Sequence, residues 1–112
     1  MEVKVVKKKD ARNFMEGAEH CRKYLQTDKI LLGSSELLPG QRGPKDPGHP
    51  NSHEVFFVAK GSVLLFVEEK DEYYELEEGD CILMPEGVSH TLINIGEEKA
   101  VITWSMAPPQ KS

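Results

Sequence analysis

The stretch that decides the fold runs from Gly79 to Asn94 and reads Gly-Asp-Cys-Ile-Leu-Met-Pro-Glu-Gly-Val-Ser-His-Thr-Leu-Ile-Asn. A Gly-Asp turn precedes a short apolar run, and Pro-Glu-Gly forms a second turn before a strand predicted over residues 88–94. Proline presets the backbone at the corner of a tight turn, and glycine relaxes the steric demand at its exit. Because side chains alternate along a strand, His90 shares one face with Leu92 and Asn94. The second turn therefore presents one imidazole on one face of a sheet.

Length, composition and charge limit the classes of protein to which the chain can belong. Its 112 residues predict one domain over 1–112, with a core at about 29–106. A net charge of −5 argues against binding along a nucleic-acid backbone, which needs a basic surface. No apolar run is long enough to span a bilayer, and the first ten residues lack the apolar stretch of a signal peptide. We therefore expect a small-molecule ligand, and neither a nucleic acid nor a membrane as partner.

The two cysteines, Cys21 and Cys81, do not make a disulfide framework. We interpret both as free thiols in a reducing cytoplasm, where a small buried thiol is the commonest role.

Turn residues divide the rest of the chain into short segments. The alternating, β-branched segment from Glu2 to Val6 predicts an edge strand, and Asp10 to Ala18 predicts a helical turn or two. Further strands are predicted over 20–26, 29–38, 54–59, 63–67, 73–76, 81–84 and 99–106. The total of roughly eight to ten short strands, with no long helix, predicts an all-β fold, either a closed sandwich or a small barrel.

Two of these predicted strands are the most apolar in the chain. The segments 54–59 and 63–67 are joined by Lys60-Gly61-Ser62, which predicts a β-hairpin. Since the two segments are apolar at nearly every position, we expect burial on both faces, partly inside the barrel and partly against a second subunit.

One predicted loop is long for so small a domain. Residues 41–52 contain three prolines and two glycines beside Arg42, Asp46 and His49. Long loops in compact domains are often functional, so this segment is a candidate part of a site.

The order and spacing of several glycine, proline, histidine and asparagine residues in this chain resemble those of the cupins. Gly79, Pro85, Gly87, His90 and Asn94 occupy every position of the second cupin motif. Upstream, Glu54 is followed at the spacing of the first motif by Gly61. The resemblance covers residues 37–105. It implies a double-stranded β-helix, the jelly-roll or cupin barrel, which is often a homodimer.

The resemblance also implies a metal site. Cupins commonly hold a divalent metal inside the barrel with two histidines and one glutamate from the first motif and one histidine from the second. Carried over to this chain, the ligands are His49, Glu54 and His90. The remaining first-motif histidine falls on Pro47, which cannot bind a metal. Asp46, Asn51 and His53 are the residues that could replace it.

The residue types support this chemistry independently of the family. Two imidazoles and one carboxylate suit Mn, Fe, Ni, Cu or Zn, with positions left open for water or substrate. On a straight strand His49 and Glu54 would face opposite ways, so they converge only if the chain bends at Pro50-Asn51-Ser52. His49 and His53 would share a face, which makes His53 the reserve ligand. Alternation does not decide whether His53 or Glu54 points inward.

Other residues are candidates for the cavity wall. Glu36 lies on the strand before the long loop, and Arg42 on the loop could neutralise a substrate carboxylate or phosphate. Phe56 and Trp104 are aromatic candidates, although aromatic residues in such strands also serve as plain core.

Three functions are compatible with these features. The first is a metal-dependent isomerase or oxygenase acting on a small polar metabolite such as a sugar or keto acid. The second is a non-catalytic module that binds a small molecule or metal. The third is a structural dimer with a vestigial site.

Overall fold

Nine short strands make up most of the computed structural model, which describes residues 2–109. The ends of the predicted domain, residue 1 and residues 110–112, lie outside the described residues. The strands are β1 (Arg12–Glu16), β2 (Glu19–Gln26), β3 (Leu31–Leu37), β4 (His53–Lys60), β5 (Ser62–Val67), β6 (Glu72–Glu77), β7 (Cys81–Met84), β8 (Thr91–Asn94) and β9 (Ala100–Ala107). The helical segments within this range are single 3-10 turns at Lys8–Asp10 and Glu68–Lys70. Neither of them is long and apolar enough to cross a membrane. The predicted all-β fold is confirmed.

The strands form two antiparallel sheets. The larger sheet has the order β1-β2-β3-β9-β4-β7, and the smaller has the order β6-β5-β8. Strands that follow one another in the chain, such as β4 and β5 or β7 and β8, lie in different sheets, which is the jelly-roll arrangement.

The hydrophobic core lies between the two sheets. Each fully buried aliphatic side chain contributes about 1.5–3 kcal/mol relative to exposure. The core residues come from both sheets and from the strands predicted to be most apolar: Leu37, Phe56, Val58, Val63, Leu65, Val67, Leu76, Met84, Leu92, Ala100 and Ile102.

The predicted hairpin between residues 54–59 and 63–67 is wrong. β4 pairs with β7 and β9, whereas β5 pairs with β6 and β8. At Gly61, which has φ +86°, the chain leaves one sheet and enters the other. A Cβ at this position would lie 3.1 Å from the Cα of Ala100, so the crossing also needs a residue without a side chain.

Within the single chain only one face of each of these strands is buried, so the predicted burial against a second subunit stays a prediction. In β4 the side chains of Glu54, Phe56 and Val58 are buried, while those of Val55 and Phe57 are exposed. β5 alternates in the same way between buried and half-buried positions. One face of β4 therefore remains uncovered in the monomer, although its residues are apolar.

The N-terminal segment also differs from the prediction. Residues 2–6 are in no strand, and β1 occupies most of the segment predicted as helical turns. Gly17, with φ +55°, and Ala18 form the turn that pairs β1 with β2. Arg12, Phe14 and Glu16 lie at every second position and face the same side, which is the period of a strand. The segment is short and polar, and Asp10 resembles a helix N-cap, so the sequence also suits helical turns.

Asn94 ties three segments together at one end of the barrel. Its side-chain Nδ2 donates to the carbonyls of Leu37 and Glu98, each at 2.9 Å, and its Oδ1 accepts from the backbone N–H of Gly96 at 2.8 Å. The residue is only 2% exposed. Removing the amide would leave buried backbone groups unsatisfied, which costs about 1–3 kcal/mol for each group.

We predict that Asn94→Ala lowers the free energy of unfolding by about 2–4 kcal/mol, because three hydrogen bonds to backbone groups disappear together. Urea denaturation followed by the single tryptophan measures this change. Asn51→Ala, at an exposed turn position, is the matched control and should change stability by less than about 0.5 kcal/mol. Equal effects of the two substitutions would contradict the role given to Asn94.

Candidate metal centre

Backbone hydrogen bonds hold the long loop alongside the end of the stretch from Gly79 to Asn94. Asp46 N donates to His90 O at 2.8 Å, and His90 N donates to Asp46 O at 2.9 Å. Farther along, Gly43 N donates to Leu92 O, and Gly87 N donates to His49 O. The loop therefore runs antiparallel to this segment like an additional strand, and it brings Asp46 and His49 beside His90.

A turn brings His49 and Glu54 together. Residues 50–51 form this turn just before β4 begins at His53. The bend reverses the parity that a straight strand would impose, so His49 Nε2 lies 3.7 Å from Glu54 Oε1. Glu54 is buried and points into the barrel, whereas His53 is exposed. Alternation in the sequence did not decide between His53 and Glu54, and the structure shows that Glu54 is the residue that points inward.

Four side chains point two nitrogen and two oxygen atoms at a common region. His90 Nε2 lies 3.6 Å from both Glu54 Oε1 and Asp46 Oδ2, and His49 Nε2 lies 3.8 Å from the same Asp46 oxygen. These separations are too long for hydrogen bonds. They are similar to the roughly 3–4 Å between neighbouring ligand atoms around a cation with bonds of about 2.0–2.2 Å. Asp46, His49 and Glu54 offer ligand atoms that all lie within 4.8 Å of one another.

The orientation of His90 is fixed by its other ring nitrogen. Nδ1 lies 3.0 Å from the carbonyl oxygen of Val88, which only accepts hydrogen bonds, so Nδ1 carries the proton and Nε2 carries a lone pair. Phe56 contacts the ring edge-on, with a centroid separation of 5.2 Å. A second hydrogen bond that fixes the tautomer in this way is typical of histidines that bind metals.

Two atoms of this group are buried without a hydrogen-bond partner. Among residues 2–109 they are Glu54 Oε1 and His90 Nε2, the same two atoms that face each other at 3.6 Å. Two ligand atoms that are buried and lie 3.6 Å apart without a hydrogen bond leave a gap that suits a cation. The residues present therefore fit a divalent metal.

The acidic groups of this region also affect one another. Burial, together with the nearby carboxylates of Asp46 and Glu19, raises the pKa of Glu54 to about 8. Burial likewise raises the pKa of Glu19, although a hydrogen bond from Ser35 lowers it in part. A bound cation would favour the ionised form of such a cluster.

The four side chains lie at one wall of a cavity of about 610 Å³, a size that suits a small molecule. The candidates Phe56 and Trp104 line it, as do Met106 and Leu92. The indole N–H of Trp104 donates to Ser35 Oγ at 2.9 Å, which fixes the ring against the wall.

Two predicted cavity residues lie elsewhere. Glu36 is on the outer face of β3, in a second depression, where it forms ion pairs with Arg22 and with Lys99 at 3.2 Å. Burial raises the pKa of Glu36, but hydrogen bonds from these two cations outweigh burial, so the pKa lies below its ordinary value. Arg42 is exposed and does not line the cavity. The prediction that Glu36 and Arg42 line the cavity is therefore wrong.

The part of the cavity wall that β1 and β2 form was not predicted from the sequence. β1 and β2 contribute inward-facing residues at alternate positions: Arg12, Phe14, Glu16, Glu19, Cys21 and Lys23. Burial raises the pKa of the Cys21 thiol to about 11, so this residue remains protonated at neutral pH. The period-two pattern on both sides of Gly17-Ala18 is the sequence signal for this wall. The prediction of helical turns over residues 10–18 conflicts with it.

Comparisons with known proteins agree with this architecture. The family model described as "Cupin domain" matches residues 33–106. A germin-like protein from Arabidopsis thaliana, subfamily 3 member 2, is 32% identical over 85 residues, which are 73% of this chain and 37% of that protein. The chain thus spans little more than a third of that relative's length.

Solved structures extend the likeness over nearly the whole chain. An uncharacterised double-stranded β-helix protein from Klebsiella pneumoniae superposes with a TM-score of 0.82 at 19% identity, covering 99% of this chain and 95% of that one. The polyketide cyclase RemF from Streptomyces resistomycificus gives 0.79 at 18% identity, covering 99% and 83%. At this level of identity the two structures establish the fold alone.

Proposed function

This chain belongs to the cupin family, and we propose that it binds a divalent transition metal with Asp46, His49, Glu54 and His90 and uses it on a small polar metabolite held in the adjoining cavity. The observation that carries the proposal is the pair of buried ligand atoms, Glu54 Oε1 and His90 Nε2, that face each other without a hydrogen-bond partner. Leaving such atoms unpaired costs free energy that a cation would return.

The donor set supports a transition metal over calcium or magnesium. Imidazole nitrogens with carboxylate oxygens suit Mn, Fe, Ni, Cu or Zn, whereas Ca²⁺ and Mg²⁺ prefer oxygen alone. In this proposal Asp46 takes the role that a histidine at position 47 has in the family pattern. The site then has two nitrogen and two oxygen ligands, with coordination positions left for a substrate.

Within this site each residue has a separate task. The bound metal would act as a Lewis acid that polarises a substrate oxygen. The Val88 carbonyl holds His90 in the tautomer that exposes Nε2, and Phe56 limits the rotation of its ring. The apolar wall at Trp104 and Met106 would exclude water from the bound ligand. An isomerisation and an oxygenation are both compatible with this arrangement.

A metal-binding module without catalysis is the alternative function. It shares the proposed ligands and the cavity, so the two differ only in turnover. Retained metal and ligand binding without any conversion of the ligand would favour the module.

We predict that protein purified without chelator retains about one equivalent of a transition metal, and that His90→Ala reduces retention at least tenfold. Loss of a ligand or of a group that orients it typically costs 10- to 100-fold or more in metal affinity. Elemental analysis by inductively coupled plasma mass spectrometry, before and after reloading, measures the stoichiometry.

His53→Ala is the matched control, because His53 is exposed and lies next to Glu54 in β4. It should retain metal like the wild type. Glu54→Gln should lose the metal and also lose the rise in melting temperature that Mn²⁺ or Zn²⁺ gives the wild type. A wild type that stays free of metal after reloading would refute the proposed site.

The proposal extends to assembly and location. We propose that the uncovered face of β4 and β7 pairs two copies of the chain, because Val55 lies opposite Leu83, and Phe57 lies opposite Cys81, on the outer surface. Exposed apolar clusters of this kind commonly mark interfaces.

The two free cysteines, one of them exposed, support a reducing cytoplasm as the location.

We predict that Phe57→Lys converts a dimer into a monomer, since it puts a charge in the middle of this face, where Phe57 is 42% exposed in the single chain. Analytical ultracentrifugation measures the change in sedimentation coefficient. Val3→Lys, at a position 98% exposed, is the control and should leave the coefficient unchanged. An unchanged coefficient for Phe57→Lys would rule out this face.

A further inference from the structure

Two cations lie directly opposite each other on the part of the cavity wall that β1 and β2 form. Arg12 of β1 and Lys23 of β2 are register partners, and both line the cavity. Like charges directly opposite on neighbouring strands are destabilising. Their position therefore calls for an explanation other than the stability of the sheet.

No carboxylate within residues 2–109 forms an ion pair with either cation. The third cation of the cavity wall, Lys45, differs in this respect, since its Nζ lies 3.1 Å from Glu68 Oε2. The Arg12 guanidinium instead lies over the ring of Phe14, 5.4 Å from its centroid, which orients the side chain without neutralising it.

The acidic residues of the same two strands are at their other end. Glu16 and Glu19 are register partners beside the turn, four residues from Arg12 and Lys23 respectively, or about 13 Å along a strand. Glu19 is turned toward the long loop, because a Cβ on Gly43 would lie 1.9 Å from its Oε2. Phe14 and Cys21 separate the two charged pairs.

The wall beside the cations is flat and apolar. Gly33 is the register partner of both Lys23 and Trp104, and the indole crosses it, so that a Cβ there would lie 2.1 Å from the ring. A ligand bound to Lys23 would therefore lie against the indole, and the chain's single tryptophan would report its presence.

We propose that Arg12 and Lys23 form an anion-binding subsite, and that the ligand of this cavity is a small anionic metabolite. Its carboxylate or phosphate would bind the two cations, while an oxygen at its other end faces Asp46, His49, Glu54 and His90. Only the contact between this oxygen and the four metal-ligand residues rests on the proposed function. The subsite selects ligands that carry a negative charge at the end away from the reacting group. The guanidinium of Arg12 is suited to bidentate contact with a carboxylate or a phosphate.

Matched pairs of probes test the subsite. Protein loaded with Zn²⁺ is titrated with 2-oxoglutarate and with 2-oxovalerate, which lacks only the distal carboxylate. It is also titrated with dihydroxyacetone phosphate and with dihydroxyacetone, and Trp104 fluorescence and calorimetry follow all four. We expect at least one of the two probes that carry a distal anion, here called the charged probes, to bind tenfold or more tightly than its match without that anion, with an affinity that falls as salt is added. The pair that discriminates identifies the anion as a carboxylate or a phosphate.

The double substitution Arg12→Gln/Lys23→Gln should abolish that difference and leave the metal content unchanged. Lys8→Gln/Lys60→Gln, the same change of charge in the second depression on the outer face, is the control and should preserve it. The inference is overturned if neither charged probe binds, if the preference survives the double substitution, or if the double substitution instead changes the sedimentation coefficient, which would assign the cations to a second subunit.

The same samples separate this inference from the proposed function. If elemental analysis finds no Zn²⁺, the metal site fails, and the subsite is judged on protein treated with chelator and titrated with inorganic pyrophosphate. Binding that the Arg12→Gln/Lys23→Gln substitution weakens tenfold supports the subsite without the metal. Equal binding by the wild type and the double variant overturns it.

Discussion

The two backbone hydrogen bonds between Asp46 and His90 are the constraint on which the site depends. They hold a loop of twelve residues, rich in proline and glycine, in register with the strand that carries the buried histidine. Without them Asp46 and His49 would belong to a mobile surface segment, and ordering such a segment has a large entropy cost. With them, residues from the loop, β4 and the turn before β8 converge on one small volume. The pairing also brings the Asp46 carboxylate, the neighbour of Pro47, to the proposed metal site.

The barrel provides the rigidity that this arrangement requires. Asn94 fastens the far end of the same loop–strand pairing, and the core between the sheets fixes β4, so that Glu54 cannot turn away from His90. Two buried polar atoms without a hydrogen-bond partner destabilise the fold locally. Proteins commonly tolerate such local cost at functional sites, where the surrounding structure is stable enough to maintain it. Here the core adjoins the site, because Phe56 of the core contacts His90.

Much of the fold could be predicted from the sequence, and the failures have physical causes. The turn at Pro85-Glu86-Gly87 and the period-two pattern after it are local signals, so the strand carrying His90 could be predicted. The exchange of sheets at Gly61 depends on distant partners, and a short turn between two apolar strands does not distinguish it from a hairpin. Glu36 and the residues of β1 and β2 were misjudged because the side of a sheet that faces the cavity depends on register, which the chain does not reveal locally. The bend before Glu54 could be predicted because proline and asparagine are common turn residues.

The central claim is that Asp46, His49, Glu54 and His90 surround one cation. The most direct measurement is anomalous scattering from crystals grown with Mn²⁺, with data collected above and below the absorption edge of the metal. We expect a single strong peak bounded by Glu54 Oε1 and His90 Nε2, with ligand bonds of roughly 2.0–2.3 Å. Absence of a peak there, with water bridging the two acceptors, would contradict it.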